Sequence, residues 1–382
     1  MRVLVLLSPA KTLNWAPAPA SLSGIWSQPK LIKEADAVVE VMRGRNKADL
    51  KKLMSVSDSI AELNLGRFKN FLGSAKVEEG SPKDFARPAA LAYDGPAYRG
   101  LDAATFSEED WAFGAGSVRL LSGVYGVLRP GDLIQPYRLE MGSRVGVAGK
   151  KDLYEYWKED VAKCLLEDVQ EGKGSAKSGA DGFLVVNVAS QEYSKAVCFE
   201  QLERAGGKVV TCVFKDDGRV LSVFAKRARG LFARHVIVSR AGAVADLEAF
   251  SAEGYGLDRS QSSDGLLVFT RSKAQKAAAV LSAPAAAKAA AKAKPTPKTK
   301  AAAEAKAKPK ATATASSTAA WGRKRAAPAG AAAAAAAKAE KKEAAIGGGG
   351  TGAATARGKR AAPTATAAGK KSAPKAKSRK KA

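Results

Sequence analysis

The apolar run Val3–Leu7 stops at Ser8-Pro9, the length of a buried strand rather than of a membrane span. The period then changes. Leu31, Ala35, Val38, Val39 and Met42 fall on one face of a helix over 31–43. Leu50, Leu53 and Met54 mark a second helix, and Ile60, Leu63, Phe68 and Phe71 a third, starting near Ser57 or at Ser59, whose spacing to Glu62 suits a capping box. Ser107 and Asp110 signal another start before Trp111. Residues 152–170 form the clearest amphipathic helix, through Leu153, Tyr156, Trp157, Val161, Cys164, Leu165 and Val169. A strand follows at 183–189. The runs 208–214 and 219–225 flank Lys215-Asp216-Asp217-Gly218, which predicts a β-hairpin. A helix over 226–240 and a strand over 266–271 complete the pattern. Strands and helices mix without strict alternation, so the expected class is α+β: a single compact domain over 1–272 with one irregular mixed sheet. Residues 171–182, rich in Gly, Ser and Lys, predict a flexible insertion loop.

Charge divides the chain in two. The formal net charge is +26, yet residues 273–382 hold 26 Lys/Arg against Glu304, Glu340 and Glu343, leaving the first 272 residues close to neutral. Ala, Lys, Pro, Thr and Gly with one aromatic (Trp321) cannot bury enough surface to offset ordering entropy, so the tail is expected to be disordered. Its cations would bind nucleic acid by counterion release without reading bases, as in linker-histone tails. Gly322-Arg-Lys-Arg325 and the lysines around Lys370 and Lys381 also match nuclear import signals. The expected location is the cytosol, with nucleus or nucleoid as an option, and no membrane association. Cys164, Cys198 and Cys212 are too widely spaced for a zinc site or disulfide framework. The single histidine, His235, lies on an apolar helix face and reads as a packed core residue. Ser-His-Asp and multi-His chemistry therefore have little to work with, and neither a metal site nor a cofactor is expected.

The densest chemistry lies in Arg119–Gly142. Val118–Gly123 reads as a helix end, Gly123-Val124-Tyr125-Gly126 as a tight hairpin and Val127–Ile134 as a short second helix: a helix-hairpin-helix arrangement whose hairpin N–H groups would hold a phosphate, with Arg119 and Arg129 adding charge. Pairing of Arg129 and Arg138 with Asp132 and Glu140 in a merely structural loop is the alternative. Three strand ends present further polar groups: Lys11, then Ser190, Glu192 and Tyr193, then Lys226 and Arg229. With Arg129 and Arg138 they would line one basic cleft. Glu140, Glu192, Tyr125 and Tyr193 are the candidates for any catalytic role.

Ser8-Pro-Ala-Lys-Thr-Leu13, Leu121-Ser-Gly-Val-Tyr-Gly-Val-Leu-Arg-Pro130, Gln135-Pro-Tyr-Arg-Leu-Glu-Met-Gly142, Asn187-Val-Ala-Ser-Gln-Glu-Tyr193, Ala228-Arg-Gly230 and Val268-Phe-Thr-Arg271 together resemble the YaaA-type peroxide-stress family, in order across nearly all of 1–272. The resemblance implies the fold described as cantaloupe-like, a helix-hairpin-helix element, a basic cleft that binds double-stranded DNA, and defence against hydrogen peroxide by limiting free iron. It carries no catalytic mechanism. Pro96 stands where that family tends to place an acid.

The first expectation is therefore a DNA-binding stress protein, favoured as a monomer. The alternative is an enzyme acting on a phosphorylated or nucleotide-like small molecule in the same cleft. Direct iron binding through oxygen ligands is the third.

Overall fold

The computed structural model describes residues 1–16, 25–74, 86–171 and 182–282. Strand β1 (Arg2–Leu7) is buried along five of its six positions, as a strand covered on both faces must be. The remaining strands are β2 (Thr12–Leu13), β3 (Arg87–Pro88), β4 (Tyr93–Asp94), β5 (Val118–Ser122), β6 (Gly126–Leu128), β7 (Leu133–Ile134), β8 (Phe183–Asn187), β9 (Gly207–Asp216), β10 (Gly256–Leu257) and β11 (Leu266–Arg271). Seven form one sheet in the order β10-β11-β9-β8-β1-β5-β6. The five inner strands are parallel, and β6 and β10 close the edges antiparallel. Twelve α-helical segments among the described residues accompany this mixed sheet.

The chain leaves β1 towards β5 on one side and leaves β8 towards β9 on the other. The order therefore reverses between the adjacent strands β1 and β8, and a crevice opens beyond their carboxyl ends. Ser8 and Ser190 stitch that crevice. The Ser190 N–H donates to Ser8 Oγ at 2.8 Å, and Ser8 Oγ donates to Ser190 Oγ at 3.2 Å. Helix Leu153–Gln170, capped by Asp152, carries the chain back to the amino end of β8.

Three expectations are corrected. Residues 219–225 do not form a strand: β9 ends at Asp216, Asp217 and Gly218 turn in the left-handed region, and one helix runs Ser222–Val238. The alternating pattern misleads because Val220, Leu221 and Val223 are exposed, while Ala225, Ala228, Phe232 and Val236 form the buried stripe. That helix crosses helix Pro96–Leu101 at contact distance. A Cβ on Gly230 would sit 1.7 Å from the Ala97 carbonyl oxygen, and one on Gly100 2.4 Å from that of Arg227. Second, Val118–Ile134 contains no helix. It is the β5–β6 hairpin followed by β7, so the helix-hairpin-helix placed there is absent. Third, the folded body continues past 272 through helix Lys273–Ser282, where Lys276 Nζ lies 3.1 Å from the Phe224 ring centroid.

Other expectations hold locally. Ser107 and Asp110 make a complete capping box. Ser57, not Ser59, caps the third helix, accepting from the Ile60 N–H. Pro96 occupies the first turn of its helix, where a missing N–H costs nothing. His235 packs against Phe232 and Phe250 with Nε2 2.9 Å from the Asp246 carbonyl, but it is half-buried rather than the core residue expected. Residues 172–181 and 283–382, with the expected loop and most of the basic tail, lie outside the described residues.

Candidate functional site

The expected phosphate-binding residues separate to opposite ends of the sheet. Tyr154, near the start of helix Leu153–Gln170, lies beside Gly142. Asp168 lies fourteen residues further along the same helix, about 21 Å away at 1.5 Å per residue.

At the Asp168 end the cations are consumed. Arg119 is 1% exposed, and its Nε donates to Asp168 Oδ2 at 2.5 Å. Arg129 Nη2 reaches Asp168 Oδ1 at 2.7 Å and Glu171 Oε2 at 2.8 Å. Lys30 pairs with both carboxylates, at 2.9 Å from Asp168. Burial alone would push the Asp168 carboxyl up, but the Arg119 charge and the bonds from Arg119, Arg129 and Lys30 outweigh it and hold the group well below the usual range. Nearby Asp132 is pushed up to about 6 by burial, against bonds from Ser27 Oγ and the Arg129 N–H. This is a structural ion network. Nothing local in the sequence singles out its organisers, Lys30 and Asp168, because Asp168 meets Arg119 across 49 residues.

The hairpin glycines are equally structural. Gly126 adopts φ +65°, and a Cβ there would lie 2.7 Å from the Trp157 ring. A Cβ on Gly123 would lie 2.5 Å from the Leu139 carbonyl oxygen. The Val124 and Tyr125 N–H groups donate to Ser122 Oγ, and both glycines are buried, so the turn offers no phosphate cradle. Tyr125 is 1% exposed and its hydroxyl accepts from the Gln135 N–H, which removes it as a catalytic candidate.

At the carboxyl end of β1 and β8 lies a small open cleft, lined by Pro9, Ala10, Lys11, Tyr137, Arg138, Leu139, Glu140 and Tyr193. Glu140 is its centre. Oε1 lies 3.2 Å from Lys11 Nζ and 3.1 Å from Arg138 Nη2, while Oε2 is buried without any partner. The loop carrying Glu140 is held from below. Tyr137 Oη is 2.6 Å from both Tyr93 Oη and Ser122 Oγ, and Tyr98 Oη donates to the Ser8 carbonyl at 3.1 Å. Burial pushes Tyr137 up to about 12, despite its bonds to Ser122 and Tyr93, and raises Tyr193 further, so both stay neutral phenols. Glu192 Oε1 accepts weakly from the Gly142 N–H at 3.4 Å.

The structure thus brings together Lys11, Arg138, Glu140, Tyr193 and, at the rim, Ser190 and Glu192. It leaves Arg119, Gly123, Tyr125, Gly126 and Arg129 out. Lys226 and Arg229 share the helix face of Gly230, which meets the helix whose Gly95 touches Ala10, but they do not line the cleft. Arg229 Nε is buried without a partner, and burial lowers its pKa. Sequence reasoning gives no role to Tyr93, Tyr98 or Tyr137, although Tyr137 lies in the Gln135–Gly142 motif; a tyrosine carries no local sign that its hydroxyl supports a site. Among the described residues no group of three or more His, Cys, Asp or Glu is placed to hold a metal, and no helix is long and apolar enough to cross a membrane.

The family model described as peroxide stress protein YaaA matches residues 3–261, which includes every cleft residue. The chain belongs to the YaaA peroxide stress protein family. Relatives are similar over their whole length. A UPF0246 protein of Dinoroseobacter shibae is 41% identical over 284 residues, covering 72% of this chain and 98% of the relative. One from Bordetella avium is 40% identical over 274 residues, 70% of this chain and 99% of the relative. One from Shewanella baltica OS185 is 38% identical over 275 residues, 71% and 100%. The rest of this chain has no counterpart in these relatives.

Proposed function

We propose that this member of the peroxide-stress family binds the phosphate backbone of duplex DNA along the carboxyl edge of its sheet, with the basic tail adding sequence-independent affinity. One observation carries the reading: five cations around this edge are exposed and, among the described residues, outside any ion pair, unlike those at the other end. Arg144, Lys150 and Lys151 lie on the loop leading from Gly142 into helix Leu153–Gln170, Lys195 lies two residues after Tyr193, and Lys226 lies in the second turn of helix Ser222–Val238. None of the five has a carboxylate within ion-pairing distance among the described residues. Exposed cations without counter-ions keep their full attraction for a polyanion. Limiting free iron is the part of this reading that the family resemblance supplies.

The test is a salt titration of binding to a covalently closed circular duplex. The chain ending at Ser282 should still bind at low salt, with a shallower slope than the full chain. Absence of binding by the shortened chain at about 20 mM salt would place all DNA affinity in the tail and overturn the role of the folded body.

A further inference from the structure

The turn after β9 projects from the sheet and carries side chains that the stability of the body does not call for. β8 and β9 pair only as far as Asn187 and Thr211, whereas β9 and β11 run on together to Asp216 and Arg271. The five further residues of β9 lift the turn about 16 Å beyond the carboxyl end of β8. Asp217 and Gly218 reverse the chain in the left-handed region, and Asp216 and Arg219 exchange backbone bonds of 2.8 and 3.0 Å, so the tip is fixed. On it stand Val220 (54% exposed), Leu221 (43%) and Val223 (63%), three of the seven large apolar side chains exposed among the described residues. Scattered singles need no explanation, but a cluster does. Leu221 also holds the cap position of helix Ser222–Val238, where its side chain makes no capping bond and Ser, Thr, Asp or Asn would stabilise the helix more.

We propose, building on the DNA reading, that Val220, Leu221 and Val223 form an apolar wedge that enters the minor groove of the bound duplex and parts a base step. Charge selects the partner. Arg219 precedes the three and Lys226 follows, one turn beyond Val223; both are exposed and outside any ion pair among the described residues. The nearby carboxylates are already engaged: Asp217 with Lys273 at 3.3 Å, Glu253 with Arg227 at 2.6 Å and Asp216 with Arg271 at 2.7 Å. A small apolar tip with cations beside it suits a groove about 6 Å wide between two rows of phosphates. Leucine is among the side chains that part base steps in kinked duplexes, and the two valines would pack on the sugars beside it. A second copy of this chain is a poorer match, because three side chains offer a few hundred Å² against about 800 Å² per partner in a stable dimer. A membrane surface is poorer too. Past Val223 the helix turns its apolar stripe (Ala225, Ala228, Phe232 and Val236) into the core instead of laying it along a bilayer.

The experiment uses the full chain and a duplex of about 25 bp with a dye at each end and 2-aminopurine in a central TA step, a step that kinks easily. Binding at about 50 mM salt should bend the duplex and raise energy transfer between the dyes, and unstacking should raise 2-aminopurine emission at least about twofold. Val220→Ser, Leu221→Ser and Val223→Ser together alter only exposed positions, so Tm should move by less than about 2 °C. That triple variant should bind about tenfold more weakly with the same salt slope, since no cation is lost, and should give neither signal. Leu221→Phe alone should keep both signals. Full-chain binding without bending or unstacking overturns the inference, as do signals that persist in the triple variant. The titration of the chain ending at Ser282 decides the DNA reading separately. Two further results overturn the wedge by naming another partner, in each case with equal DNA signals from both chains: phosphatidylserine vesicles that capture the native chain and not the variant, or a dimer in sedimentation that the variant lacks.

Discussion

The two ends of the central sheet carry the same kinds of residue in opposite circumstances. At one end Arg119, Arg129 and Lys30 close on Asp168 and Glu171 and serve stability. At the other, Lys11 and Arg138 share one carboxylate oxygen, and the lysines and arginine around them have no counter-ion among the described residues. The difference teaches that an arginine in a basic motif becomes functional or structural according to a partner that its own neighbourhood does not reveal. Asp168, one carboxylate on a helix 49 residues downstream of Arg119, decides which end is closed.

The sharpest way to break this comparison is Asp168→Ala. It strands Arg119 in the interior without a counter-charge, so the loss should be about 3–5 kcal/mol, or a fall in Tm of roughly 10 °C for a body of this size. Closed-circle binding by the fraction that remains folded should be unchanged. A weakened DNA affinity would mean that the two ends are not independent. Gly230→Ala comes next, because a methyl group there meets a backbone carbonyl that cannot step aside. Separating the two helices should cost about 1–3 kcal/mol by thermal melting, and an unaltered Tm would refute the close crossing.

Acid sharpens the contrast. Asp168 ionises below its ordinary range in the folded state, so its stabilisation is fully present above about pH 4 and is lost as pH falls through the depressed folded value. Melts between about pH 6 and pH 2 should show a steep acid limb in the native chain and a shallower one in Asp168→Asn; parallel limbs would remove Asp168 as the cause. The smallest stability effect belongs to the open end. Replacing Arg144, Lys150 and Lys151 together with alanine should move stability by less than about 0.5 kcal/mol. The same replacement should lower the slope of log K against log salt by up to about 3, close to ~0.9 for each phosphate that the protein ceases to neutralise. An unchanged slope would show that DNA does not pass over that loop.

Much of the framework is legible in the chain. Val3–Leu7 and Phe183–Asn187 announce strands by unbroken apolarity, and Ser107 with Asp110 announces its helix by a reciprocal cap. Two segments are not legible, for different reasons. Val118–Leu128 is a short apolar run buried on both sides, and such a run has no period to separate strand from helix. Residues 219–225 alternate like a strand because their large side chains face water, whereas the stripe that fixes the helix begins only at Ala225. The site is half legible. Lys11, Arg138, Glu140 and Tyr193 stand out by type and by lying just past strand ends. Their separation from Arg129 depends on the length of a helix, about 21 Å between Tyr154 and Asp168, that no local motif encodes.

The position of Arg2–Leu7 sets a condition on biosynthesis. The strand that ends up in the middle emerges before its neighbours Val118–Ser122 and Phe183–Asn187, which follow after roughly 110 and 175 residues. At translation rates of about 5–20 residues per second it waits some 10–35 s for both to exist. Throughout that interval an oily hexapeptide has no pairing partner on the nascent polypeptide, which makes it the natural first client for whatever chaperone guards the ribosome exit.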